Sequence, residues 1–122
     1  MQQDLRIVFH NMDASEALER RIRSRAAELE HLCDRITACD VVVEMHHRHP
    51  RQGKLFHVRV DLALPGRILV VRREPAENHG HEDAHIAVRD AFDAARRQLE
   101  DYVRVTRGDV KVHALATVAQ DE

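Results

Sequence analysis

Between Leu55 and Leu64 every second residue is large and apolar: Phe56, Val58, Val60, Leu62 and Leu64, with Leu55, His57, Arg59, Asp61 and Ala63 between them. Strand side chains point alternately to opposite faces, so this run predicts a strand with one face in a core and the other at least partly wet. Pro65 and Gly66 follow at once. Proline fixes φ and glycine accepts a positive φ, which are the demands of the two central positions of a type II turn. The chain must turn back there, and Arg67 to Arg73 is predicted to be an antiparallel strand. Such a hairpin needs a second layer over its apolar face.

That layer is also written in the sequence. From Asp13 the apolar residues Leu18, Ile22, Ala26, Leu29, Leu32, Cys33 and Ile36 recur at three- and four-residue steps, the stripe of a long amphipathic helix. Its N-cap is either Asp13, paired with Glu16, or Ser15. A second stripe, Ala84, Val88, Ala91, Phe92, Ala95, Leu99, Tyr102 and Val103, follows Asp83, a plausible cap. Leu5, Ile7 and Phe9, and later Val41, Val43 and Met45, alternate as two further strands, the second ending in the turn-rich run from His49 to Gly53. The polar run from Glu74 to Asp83 reads as an exposed loop.

The order β-α-β-β-β-α, with two apolar helical stripes and a sheet having one apolar face, predicts an α+β fold. It is a two-layer sandwich with both helices on one face of a four-stranded sheet. At 122 residues this is one domain, placed at residues 1–107, with residues 108–122 expected to be a mostly flexible tail. No run of 18 apolar residues exists and the first residues lack a signal-peptide pattern, so a cytoplasmic location is expected. Cys33 and Cys39 have no CxxC spacing and read as reduced, mostly buried thiols.

A formal net charge of -2 argues mildly against a nucleic-acid partner, but the average hides segregation. Residues 46–73 carry 7 basic side chains and Asp61 as the one acid, plus four histidines, between flanks at -3 and -5. Phosphate binding needs cations bunched on a surface, and arginine suits it because its planar fork meets phosphate oxygens in pairs. In the hairpins, Arg48, Arg51, Lys54, Arg59, Arg67, Arg72 and Arg73 are the candidates. On the first helical pattern Arg21, Arg25, Arg35 and His31 share a flank; on the second, Arg89, Arg96, Arg97 and Arg104 lie outside the apolar stripe but among acids at ion-pairing spacing. His81 and His85, one helical turn apart, are the weak candidate pair for a metal, and His46, His47 and His49 cluster in the first hairpin. Neither set supplies a complete ligand sphere, and no metal or other cofactor is expected.

The element order, together with His81-Glu82-Asp83, Ala87 and Arg97-Gln98-Leu99, and with Ser15-Glu16-Ala17-Leu18, Leu29-Glu30 and Asp34-Arg35-Ile36 of the first helix, resembles the ribosome hibernation-promoting factor and ribosome-associated inhibitor family. The resemblance spans roughly residues 3–107. It implies a fold like that of double-stranded RNA-binding domains, with the ribosome and its small-subunit ribosomal RNA as partner. It implies docking where messenger and transfer RNA would sit, and translation blocked by occupancy. It implies no membrane and no small-molecule substrate, and leaves the oligomeric state open, a monomer being sufficient. Glu28, Ala94 and Asp101 stand where basic residues are common in that family, and His85 where tyrosine is, so the basic hairpins are expected to compensate. No phosphate loop, nucleophile elbow or catalytic cysteine motif is present, so no enzyme is expected. A histidine-rich metal-responsive module and a general binder of double-stranded RNA are the alternatives on the same scaffold.

Overall fold

The computed structural model describes residues 4–47, 54–73 and 83–106. Its elements are β1 (Asp4–His10), α1 (Glu16–Leu32), β2 (Ala38–His47), β3 (Lys54–Leu64), β4 (Arg67–Arg73) and α2 (Ala84–Thr106). Gly66 adopts φ 80, the left-handed conformation that the second centre of a type II turn demands. Pairing runs symmetrically away from that turn, with Leu64 opposite Arg67 and Arg59 opposite Arg72. β2 lies antiparallel to β3, and β1 joins β2 in parallel, giving the order β1-β2-β3-β4. A parallel neighbour cannot be reached by a tight turn, and α1 provides the crossover.

Thr37 ties three strands together: its amide donates to the Ala63 carbonyl at 2.9 Å and its own carbonyl accepts from the Asp4 amide at 3.3 Å. The first helix starts where one of the two candidate caps places it. Ser15 is the N-cap, its hydroxyl accepting from the Leu18 amide at 3.2 Å, and Asp13 is left exposed. The helix ends earlier than the apolar stripe suggests. Cys33 is already extended, at φ -147 and ψ 113, its amide donating to Leu29. Asp34, Arg35 and Ile36 therefore belong to the connection into β2, and Ile36 is buried from that loop. The helical spacing of Ile36 continues the stripe by coincidence, because a buried loop residue and a buried helix residue look alike in a one-dimensional pattern.

At the second helix Asp83 caps as expected: its carboxylate accepts from the His85 amide at 2.9 Å, and its carbonyl from Ile86 and Ala87. Both helices cover the same face of the sheet, α2 over β3 and β4 and α1 beside it toward β1. Leu18, Ile22, Ala26 and Leu29 of α1 and Ala87, Val88, Ala91, Phe92, Ala95 and Leu99 of α2 meet Cys39, Val41, Val43, Val58, Val60 and Leu62 in one core. Each full aliphatic burial there is worth roughly 1.5–3 kcal/mol. The four buried alanines of α2, Ala87, Ala91, Ala94 and Ala95, let that helix lie close against its neighbours. The segment 48–53, the loop 74–82 and the tail from 107 lie outside the described residues.

Candidate nucleic-acid interface

A two-layer sandwich has two outward surfaces, and the candidate cations divide between them. Arg21, Arg25, Arg89, Arg96, Arg97 and Arg104 are on the helix layer; Arg59 and Arg72 are on the open face of the sheet; Arg35 is exposed in the connection after α1. Lys54 and Arg73 are placed by their backbones at the first and last positions of β3 and β4, while Arg48 and Arg51 lie outside the described residues.

The helix layer is close to electroneutral. In α1, Arg20, Arg21, Arg23 and Arg25 are matched by Glu16, Glu19, Glu28 and Glu30, and in α2 four arginines are matched by Asp90, Asp93, Glu100 and Asp101. Arg25 pairs with Glu28 at 3.5 Å and, across the helix interface, with Asp93 at 3.6 Å. Arg89 pairs with Asp90 at 3.1 Å, Arg96 with Glu100 at 3.1 Å, and Arg104 with Asp101. Arg21, Arg35 and Arg97 make no ion pair among the described residues. Glu28 and Asp101 are thus the partners that neutralise Arg25 and Arg104. Ala94 is a core position here, where a charged side chain would be desolvated.

The open face of the sheet is different in kind. Register fixes its rows across the strands: Arg6–Asp40–Asp61–Val70, then Val8–Val42–Arg59–Arg72, then His10–Glu44–His57. Arg6 reaches Asp40 at 3.2 Å, and Arg59 forms two hydrogen bonds with Asp61, at 2.9 and 3.1 Å. That pairing raises the Arg59 guanidinium pKa further, first through the hydrogen bonds and then through the carboxylate charge. Arg72, directly opposite Arg59, has no ion pair among the described residues. The His46 and His57 rings stack with centroids 4.1 Å apart, and His46 Nε2 lies 3.4 Å from Glu44, an ion pair whenever that imidazole is protonated. Val8, Ile68 and Val70 are exposed at 41%, 62% and 42%, apolar surface that the core does not use. Between these groups lies an open groove of about 300 Å³.

Arg67 leaves this face. It occupies an inward register position at the sheet margin, its guanidinium 5.9 Å above the ring of the buried Tyr102. His10 and Glu44 were not among the residues singled out by sequence; only the β1-β2 and β2-β3 registers bring them beside His57. For the metal reading, His81 lies outside the described residues. His85 is half-buried, its Nδ1 enclosed and without a hydrogen-bond partner among the described residues. Among the described residues no group of three or more histidine, cysteine or acidic side chains is arranged to hold a metal ion. Cys33 and Cys39 are free thiols, both buried as expected, and burial, then Asp40 and Asp61, push the Cys39 pKa up to about 12.

A family model described as sigma 54 modulation protein / S30EA ribosomal protein matches residues 5–107. The chain belongs to that family. The S30EA fold is equally evident in solved structures. The chain is similar to the N-terminal domain of Protein Y from Thermus thermophilus, with a TM-score of 0.62 and 18% identity, over 80% of this chain and 94% of that one. It is also similar to a ribosomal subunit interface protein from Coxiella burnetii, with a TM-score of 0.67 and 16% identity, over 81% of this chain and 96% of that one. No curated protein matches it by sequence. The family match spans every described element from Leu5 onward, so both the neutral helix layer and the open sheet face belong to the S30EA unit. No helix among the described residues is long and apolar enough to cross a membrane.

Proposed function

We propose that this chain is a cytoplasmic ribosome hibernation factor. It binds small-subunit ribosomal RNA in the channel used by messenger and transfer RNA and blocks translation by occupying it. The observation that carries the reading is membership of the S30EA family across residues 5–107. The names of the two similar structures, Protein Y and a ribosomal subunit interface protein, point the same way. No bond is made or broken in this action, and no cofactor is required.

Physically the plug works by shape and by cations that meet phosphates from several RNA segments. The strand-to-strand hairpins supply most of that contact, because residues 46–73 hold the excess of positive charge and the helices hold none. Helix arginines contribute less but are not withdrawn. Their exposed ion pairs are worth about 0–1 kcal/mol, so an incoming phosphate can exchange for a carboxylate. A near-neutral molecule binds duplexes of arbitrary sequence poorly, which favours the shaped ribosomal site over general binding of double-stranded RNA.

Sedimentation with purified small subunits across a salt series tests this. Co-sedimentation that weakens steeply as salt rises supports it; a protein that stays in the supernatant at the lowest salt overturns it.

A further inference from the structure

The groove on the open sheet face has a polarity that none of the ribosome-binding argument uses. At its β3-β4 end stand Arg59 and Arg72, cross-strand neighbours of like charge. Such a pair is unfavourable unless an anion lies between its members. Asp61 relieves Arg59 from the side and leaves Arg72 uncompensated among the described residues. At the β2 end stands the Glu44 carboxylate, flanked across the strands by His10 and His57. Val42 and the His57 ring line the groove, and His46, outside the lining, stacks on His57.

We infer that this groove holds one unstacked nucleotide of single-stranded RNA, with its phosphate between Arg59 and Arg72, its base against His57 and an exocyclic amino group of the base donating to Glu44. Charge complementarity selects the occupant: cations at one end of the groove, an acceptor at the other, and a flat apolar and aromatic surface between them. Imidazoles and guanidinium planes are stacking platforms for splayed-out bases, and a four-stranded sheet offers them side by side. A volume of about 300 Å³ suits one nucleotide rather than a helix. Exposed Val8 and Val70 extend the same surface for the flanking residues of the strand. Glu44 accepts from the exocyclic amino group of cytosine, whereas uracil carries the O4 carbonyl, an acceptor, at the same position, so the groove favours cytosine. Duplex RNA, whose bases are stacked away, cannot enter it.

This inference rests on the reading that the chain binds RNA, and it names what the open face of the basic hairpins would take there: one unstacked nucleotide of a single strand. The test is NMR titration of the whole chain with oligo(C), oligo(U) and a short RNA duplex, beside the variants His57→Ala and Arg72→Gln. Retained thermal unfolding profiles show that the variants fold. The expected result is that oligo(C) shifts the amides of Val42, His57, Arg59 and Arg72, and that oligo(U) and the duplex bind at least several-fold more weakly. Either variant should lower oligo(C) affinity on the order of tenfold. Equal binding of oligo(C) and oligo(U), unchanged affinity in both variants, or shifts confined to the helices overturns the inference. So does concentration-dependent shifting of the same amides without RNA, which would mark the face as a contact between copies of the chain. Ribosome sedimentation of the same proteins separates the two readings. Oligo(C) binding without ribosome binding refutes the hibernation role and leaves the groove standing; ribosome binding without oligo(C) binding does the reverse.

Discussion

Arg25 of α1 and Asp93 of α2 stand 3.6 Å apart across the helix interface, and Glu28 holds the same guanidinium from one turn further along α1, at 3.5 Å. Arg25, like Arg89, Arg96 and Arg104, is therefore partly neutralised by the chain's own carboxylates. Removing those carboxylates should free these arginines. Glu28→Lys with Asp101→Lys is expected to raise ribosome affinity and to steepen its salt dependence by about one unit of slope per added phosphate contact. An unchanged slope would mean that the helix layer faces away from RNA.

The hairpin side should respond in the opposite sense. Arg48→Glu with Arg51→Glu is expected to weaken ribosome binding by on the order of tenfold or more at low salt and to flatten the salt slope by about two units. Equilibrium sedimentation over the same salt series measures both quantities. Binding and slope indistinguishable from the unaltered protein would remove the proposed compensation by the hairpins.

Burial on α2 and the cap at the entry to α1 both contribute to stability. Phe92 is 2% exposed at the centre of the helix-sheet interface, and Phe92→Ala should cost about 3–5 kcal/mol. Ser15→Ala removes the acceptor for the Leu18 amide and should cost about 1 kcal/mol. Urea unfolding checks both; a cap variant costing more than the core variant would invert the account of the fold.

Cys39 gives the pH dependence. Its thiol has an ordinary pKa of 9.0 and is pushed up to about 12 in the fold by burial and by Asp40 and Asp61. Above pH 9 the unfolded chain loses this proton while the folded chain keeps it, so deprotonation favours unfolding. The contribution is fully present below pH 9 and is lost as pH rises toward 12, on the order of 4 kcal/mol over the window. Comparing chemical unfolding of the unaltered protein and Cys39→Ala between pH 8 and 11 isolates it. A stability difference between the two that does not change with pH would contradict the shift.

The hairpin of β3 and β4 was legible because its information is local. Pro65 and Gly66 locate the turn, and counting outward from them places Arg59 opposite Arg72 with no further knowledge. The end of α1 was not, since Ile36 keeps helical spacing while being buried from a loop, and no glycine or proline marks the stop at Cys33. The neutralisation of the helices was half legible. Four-residue spacing suggests Asp93 with Arg97 and Glu100 with Arg104, but the structure pairs Glu100 with Arg96, Arg104 with Asp101, and Asp93 with Arg25 through the packing of α1 on α2. Arg67 looked like one more hairpin cation, and the fold turns it onto Tyr102. The row His10–Glu44–His57 depends on the parallel β1-β2 register and the antiparallel β2-β3 register together, both non-local.

Chemical footprinting of small-subunit ribosomal RNA, with and without the protein, tests the central claim most directly. The proposed role predicts protection of nucleotides lining the channel for messenger and transfer RNA, lost when a tRNA and a messenger are bound first. Protection elsewhere on the subunit, or protection in the channel that persists beside bound tRNA and messenger, would contradict blocking by occupancy.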